Sequence, residues 1–124
     1  MHRDHQFEFL DAPPGHVSVV VDERDDSEAR LLKHLAKELG FPYYFGENWD
    51  ALDECLSELP WTRSADVVVD HAVLPRLTPD DLSRYLHTLV GAMQAIPGGP
   101  ARLRVIFRTK DRAAVEEALA RMDP

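Results

Sequence analysis

The segment ADVVVDHAV, residues 65–73, decides the fold class of this chain. Its short run of β-branched residues is typical of a strand that is buried on both faces. A helical pattern over residues 49–59 precedes it and ends at Pro60, because proline lacks the N–H that a helix interior needs. The segment TPDD, residues 78–81, follows as a helix start, with a capping hydroxyl and two acids in the first turn. A buried strand between two helices indicates an α/β domain.

Two further β-branched runs and two further helical patterns surround this unit. The runs are HVSVVVD at 16–22 and LRVIFRT at 103–109, and the helical patterns are ERDDSEARLLKHLAKELG at 23–40 and DRAAVEEALARM at 111–122. The resulting order is β-α-α-β-α-β plus a C-terminal helix. Because strands that alternate with helices usually lie parallel, we predict a small three-stranded parallel sheet packed with helices.

We expect a single domain over residues 1–124, since this length suits one hydrophobic core and no linker or repeat interrupts the pattern. Residues 1–16, which close near a Pro-Pro-Gly turn, are predicted to form an irregular N-terminal extension. Residues 110–124 are predicted to add an extra C-terminal helix.

The composition narrows the class of partner. The formal net charge is −8, and an acidic surface repels phosphates, so direct nucleic-acid binding is not expected. This negative charge favours a basic protein partner, and the alternative explanation is that it only keeps the protein soluble. No apolar run could span a membrane, the N-terminal residues lack the apolar core of a secretory signal, and the single cysteine, Cys55, cannot form an internal disulfide. These features predict a cytoplasmic protein.

The sequence shows no convincing catalytic or metal-binding pattern. Its six histidines lack metal-ligand spacing apart from a weak H-x-x-H near the start, and glycine-rich phosphate-binding motifs are absent. We therefore expect no metal, no cofactor, no small-molecule substrate and no enzymatic activity. Two acids such as Asp50 and Glu54 could in principle serve acid–base catalysis, but we do not expect so small a sheet to form the necessary cleft.

The helix predicted over residues 49–59 concentrates acids on one face. At 3.6 residues per turn, its apolar side chains fall in one arc and a polar set at i, i+3, i+4 and i+7 falls opposite. This set is Asp50, Asp53, Glu54 and Ser57. No Lys or Arg lies between Glu47 and Glu58, so the carboxylates on this face repel each other. A helix that keeps such repulsion, with no neighbouring cation to offset it, indicates an interaction surface.

The segment KELGFPYYFGENWDALDECL, residues 37–56, resembles the barstar family, the intracellular inhibitors of the secreted bacterial ribonuclease barnase. The resemblance implies that the aromatic loop and the acidic helix face contact a ribonuclease active site. It makes Asp50 the first acidic anchor and places Glu54 where a substrate phosphate would bind. The full implied contact set is Tyr43, Tyr44, Gly46, Asn48, Asp50, Asp53, Glu54, Ser57 and Trp61.

Two positions depart from the family pattern. Glu54 is one methylene longer than the family's Asp, and Asp53 stands where the family has a contacting Trp. These departures favour a target other than barnase itself, with a differently shaped cleft.

The resemblance therefore implies an acidic, antitoxin-like immunity protein that inhibits a basic ribonuclease, secreted or toxin, by blocking its active site. The alternative is a binding or immunity module of the same fold for another basic protein partner without ribonuclease activity.

Overall fold

The computed structural model describes residues 6–41, 46, 48–58, 66–96 and 102–121. Within them the chain forms four strands, four α-helices and a 3₁₀ turn at Thr109–Asp111. The strands are β1 (Glu8–Leu10), β2 (Val19–Val21), β3 (Val67–His71) and β4 (Leu103–Arg108). The helices are α1 (Glu28–Leu39), α2 (Trp49–Glu58), α3 (Pro79–Ala95) and α4 (Arg112–Arg121). The predicted α/β class with a parallel sheet is confirmed.

The sheet has four strands, and the prediction of three was wrong. Its order is β1-β4-β3-β2, and every neighbouring pair is parallel. The additional strand, β1, lies at the sheet edge beside β4, inside the segment that was predicted to be irregular. Three residues are too few to show an alternating pattern in sequence. The pairing of β1 depends instead on contacts with residues near the other end of the chain.

Helices α1 and α3 begin at hydroxyl side chains that cap their first turns, and α1 starts at Glu28, five residues inside the predicted segment 23–40. Helix α1 begins after Ser27, whose Oγ accepts a hydrogen bond from the Arg30 N–H at 3.2 Å. It ends at Gly40, which adopts the left-handed conformation with φ 73° that glycine tolerates best. Helix α3 begins after Thr78, whose Oγ1 accepts from the Asp81 N–H at 3.1 Å.

The main hydrophobic core lies between one face of the sheet and the helices. Val21, Val105 and Phe107 contribute from the strands and are fully buried. The opposite face carries a buried ion pair, in which Arg108 donates to both carboxylate oxygens of Asp70 at 2.8 and 2.7 Å. The pair satisfies both charges, which is the condition under which a protein interior tolerates them.

A buried histidine links the sheet to α3. The His71 imidazole is fully buried and stacks on Phe107 with 4.1 Å between ring centroids. Its Nδ1 lies 2.9 Å from the Ile106 carbonyl oxygen, which can only accept, so Nδ1 carries the proton. The unprotonated Nε2 then accepts from the Tyr85 hydroxyl at 2.7 Å. Burial lowers the pKa of His71 to about 4, so the imidazole is neutral at pH 7.

This histidine makes stability depend on pH. The ordinary histidine pKa is about 6.5, and the folded value is about 4, so the unfolded chain binds the proton more readily. The contribution of His71 is therefore present above pH 6.5 and is lost as the pH falls toward 4. We expect the free energy of unfolding to decrease by about 3 kcal/mol across this range on account of His71. Urea denaturation at a series of pH values measures the decrease.

The control is His71→Gln, which keeps a donor and an acceptor but does not titrate. The difference in the free energy of unfolding between wild type and variant reports His71 alone, because the carboxylates titrate in both proteins. Parallel stability curves for the two proteins between pH 6.5 and 4 would contradict this account.

Candidate functional site

The acidic helix α2 begins at a well-formed cap. The Asn48 side-chain oxygen accepts a hydrogen bond from the Ala51 N–H at 2.7 Å, and the Asn48 carbonyl accepts from the Leu52 N–H at 3.0 Å. Asparagine is among the residues that most favour this position, so the sequence itself sets the start of α2. The helix is described as far as Glu58, and Leu59, the predicted end, lies outside the described residues.

Helix α2 is fixed to the rest of the protein through its apolar side. Leu52 and Leu56 are almost completely buried, and Trp49 is 9% exposed. The Trp49 ring lies 5.7 Å from the Tyr85 ring, and its Nε1–H donates to Asp81 Oδ1 on α3 at 3.3 Å. The first turn of α2 therefore has a defined position relative to α3.

The opposite side of α2 presents its carboxylates to solvent. Asp50, Asp53 and Glu54 are exposed, and Ser57 is half-buried. Asp53 lies toward α3, because its Oδ1 is 4.0 Å from the place that a Cβ on Gly91 would occupy. The described structure thus places these side chains on one exposed face of a helix.

The loop before α2 is described only in part. Gly46 and Asn48 are exposed, and the Asn48 Nδ2–H donates a long hydrogen bond of 3.5 Å to the Gly46 carbonyl oxygen. Gly46 also lies against the first turn, since an added Cβ would meet the Ala51 Cβ at 3.5 Å. The remaining predicted contact residues lie outside the described residues. They are Tyr43, Tyr44 and Trp61.

The basic stretch 102–112 lies near acids of the protein itself. All four arginines of this stretch have intramolecular partners in the structure. The ion pairs are Arg102–Asp66 at 3.7 Å, Arg104–Glu8 at 2.6 Å, Arg108–Asp70 at 2.7 Å and Arg112–Glu116 at 3.2 Å. Their positive charge is therefore largely matched within the fold.

Three acids of α2 are not paired in this way in the described structure. Within the described part of the chain, neither a salt bridge nor a side-chain hydrogen bond involves the carboxylates of Asp50, Asp53 or Glu54. Three like charges on one rigid face, without a cation, form a surface that attracts positively charged groups.

Two residues that support the site were not identified from sequence. Asp81 was interpreted as an acid on the helix dipole, and Tyr85 was not singled out, yet both hold Trp49. No local signal marks such contacts, because Trp49 and Asp81 are joined only by the folded arrangement of α2 and α3. Among the described residues, no cluster of histidine, cysteine or acidic side chains could hold a metal ion. None of the described helices is long and apolar enough to cross a bilayer.

Comparison with protein-family models gives a match over most of the chain. The family model of barstar, described as the barnase inhibitor, matches residues 16–112, which include β2 to β4 and the whole of α2. No curated protein shows a significant match to the chain. The family is one of inhibitors, which agrees with a protein that is not an enzyme. Because the match covers most of the sequence, the chain belongs to the barstar family of barnase inhibitors.

Proposed function

We propose that the protein inhibits a basic ribonuclease by covering its active site with the acidic face of α2 and the loop before it. The observation that carries the proposal is the exposed set Asp50, Asp53 and Glu54, which makes no ion pair in the described structure. The proposed contact surface also includes the flanking residues implied by the family. They are Tyr43, Tyr44, Gly46, Asn48, Ser57 and Trp61.

The chemistry of a ribonuclease active site supports this proposal. Such a site gathers Arg, Lys and His side chains to bind a phosphodiester. Carboxylates accept paired hydrogen bonds from arginine much as phosphate oxygens do. Asp50 and Glu54 lie four residues apart on one helical face, about 6 Å along the axis, so two cations of one cleft can be engaged together.

The rigidity of α2 supports a stoichiometric inhibitor. Trp49, Leu52 and Leu56 hold the helix in place before any partner arrives, so little side-chain or backbone freedom remains to be lost on its apolar side. Binding needs no cofactor and leaves the protein chemically unchanged. The proposed site of action is the cytoplasm of the cell that makes the ribonuclease.

Charge also supplies selectivity in this proposal. Burial of a carboxylate costs desolvation energy, which is recovered only where a cation meets it in good geometry. Asp53 extends the acidic face toward α3, and the longer Glu54 side chain reaches farther than an aspartate would. A nuclease whose cations do not match these positions is therefore rejected.

Removal of single carboxylates tests the site directly. We expect Asp50→Ala and Glu54→Ala each to weaken binding of the ribonuclease at least about a hundredfold, because each leaves a buried cation of the partner without its pair. The ribonuclease is first captured from proteins of the producing cell with wild-type bait at physiological salt. Isothermal titration calorimetry then gives the dissociation constant of each variant.

Glu117→Ala is the matched control, since Glu117 is an exposed glutamate on α4 and its loss changes the net charge equally. We expect it to alter the affinity by less than about threefold. Similar losses at Asp50, Glu54 and Glu117 would show that total charge matters and that α2 is not the site.

The dependence on salt tests the electrostatic part of the proposal. We expect the association rate to fall as salt is raised, while the dissociation rate changes much less, because screening weakens long-range attraction more than it weakens desolvated contacts. The barnase–barstar pair is itself the standard example of such steering, so no magnitude is predicted here. Stopped-flow mixing measures both rates. An association rate that is independent of salt would contradict the proposal.

A further inference from the structure

Gly91 is a glycine in the interior of the 17-residue helix α3. Glycine is among the least favourable residues in such a place, because it loses more backbone freedom on folding than any other residue. The φ angle of Gly91 is not positive, in contrast to that of Gly40, whose left-handed backbone at φ 73° favours glycine. The backbone conformation therefore gives no reason for a glycine at position 91.

The packing of α3 against α2 gives no reason either. A Cβ added at Gly91 would meet one atom outside its own helix among the described residues, which is Asp53 Oδ1 on α2 at 4.0 Å. This is an ordinary van der Waals separation, so an alanine fits without displacing its neighbour. A residue that weakens its own helix, where neither backbone nor packing demands it, indicates a contact with another molecule.

The surface around Gly91 leaves the charge of Asp53 without a partner. Asp53 is exposed and makes neither an ion pair nor a side-chain hydrogen bond in the described structure. One turn to either side of Gly91 on the same side of α3 lie Thr88 and Ala95, which carry no charge. The Thr88 hydroxyl donates to the Arg84 carbonyl oxygen of its own helix at 2.7 Å. The missing side chain at Gly91 therefore leaves a shallow notch beside an unpaired carboxylate.

The chemistry of this notch matches an arginine side chain. A guanidinium is planar, so one of its faces can lie flat on the backbone of a residue that has no side chain. Its fork of N–H groups can at the same time donate to both oxygens of one carboxylate, such as that of Asp53. A lysine ammonium has neither the flat face nor the fixed fork. A side chain at position 91 would lift the guanidinium off the backbone and away from Asp53.

We propose that Gly91 is a specificity-determining residue of the inhibitor, because it leaves room for one arginine of the ribonuclease to bind Asp53. This inference rests on the proposed function and extends the contact surface from α2 to α3. It adds selection by shape to selection by charge. A ribonuclease without an arginine at this place gains nothing from the notch, and an inhibitor with a side chain at position 91 would exclude that arginine.

Substitution of Gly91 should change stability and affinity in opposite directions. Alanine and glutamine are strong helix formers, so we expect Gly91→Ala to raise the melting temperature by about 3 °C and Gly91→Gln not to lower it. Differential scanning calorimetry measures both. For the ribonuclease captured with wild-type bait, we expect the dissociation constant to rise about threefold with Gly91→Ala and at least about tenfold with Gly91→Gln. Isothermal titration calorimetry measures these constants.

Two further variants show whether the effect belongs to this contact. Ala113→Gln is the matched control, because it places the same neutral side chain at an exposed position of α4. We expect it to change the affinity by less than about twofold. Asp53→Asn removes the charge and keeps the shape, so in this background we expect Gly91→Gln to weaken binding by less than about threefold.

The outcomes separate this inference from the proposed function. If Gly91→Gln binds the ribonuclease as tightly as wild type while Asp50→Ala and Glu54→Ala still weaken binding, the inference is wrong and the proposed function stands. An equally large effect of Gly91→Gln with and without the Asp53 charge also overturns the inference. So does a melting temperature of Gly91→Ala below that of wild type, because the glycine would then serve the fold. If wild-type bait retains no ribonuclease, both are wrong.

Discussion

The hydrogen bond from the Tyr85 hydroxyl to His71 Nε2 connects the central strand β3 to helix α3. His71 belongs to a central strand and is held there by the Ile106 carbonyl and by the Phe107 ring. Tyr85 belongs to α3, and its ring supports Trp49 at the start of α2. One support of the acidic helix therefore runs through buried rings, from His71 through Tyr85 to Trp49. The network is satisfied at each step, which is the condition for polar groups to specify a core rather than weaken it.

Within the described residues, the arginines near β4 are paired with acids, whereas three acids on α2 are not. Arginines on and beside β4 are matched with acids from β1, β3 and α4, so their charge stabilises the fold. Asp50, Asp53 and Glu54 on α2 have no such partners among the described residues and lie on the exposed side of a helix whose other side is buried. Repulsion between like charges on one helix face costs a few tenths of a kcal/mol for each pair, and this cost is uncompensated within the described fold. A cationic partner would remove it.

Much of this arrangement is readable in the sequence, because it depends on local patterns. The caps at Ser27, Asn48 and Thr78, the β-branched strands and the acidic face all arise from residues close together in the chain. Strand β1 was missed because three residues carry no period, and its stability comes from Arg104 and Phe107 far along the sequence. The support of Trp49 by Asp81 was missed for the same reason. The choice of Tyr43, Tyr44 and Trp61 as contacts rests on family resemblance alone, and these residues stay predictions.

The proposed function requires this member of the barstar family to stop a ribonuclease by forming a one-to-one complex with it. The most direct measurement is a titration of RNA cleavage by the captured nuclease with increasing amounts of wild-type protein at physiological salt. We expect the cleavage activity to fall in proportion to added protein and to vanish at equimolar inhibitor. Full cleavage activity in the presence of excess, bound protein would contradict it and would favour a binding role without inhibition.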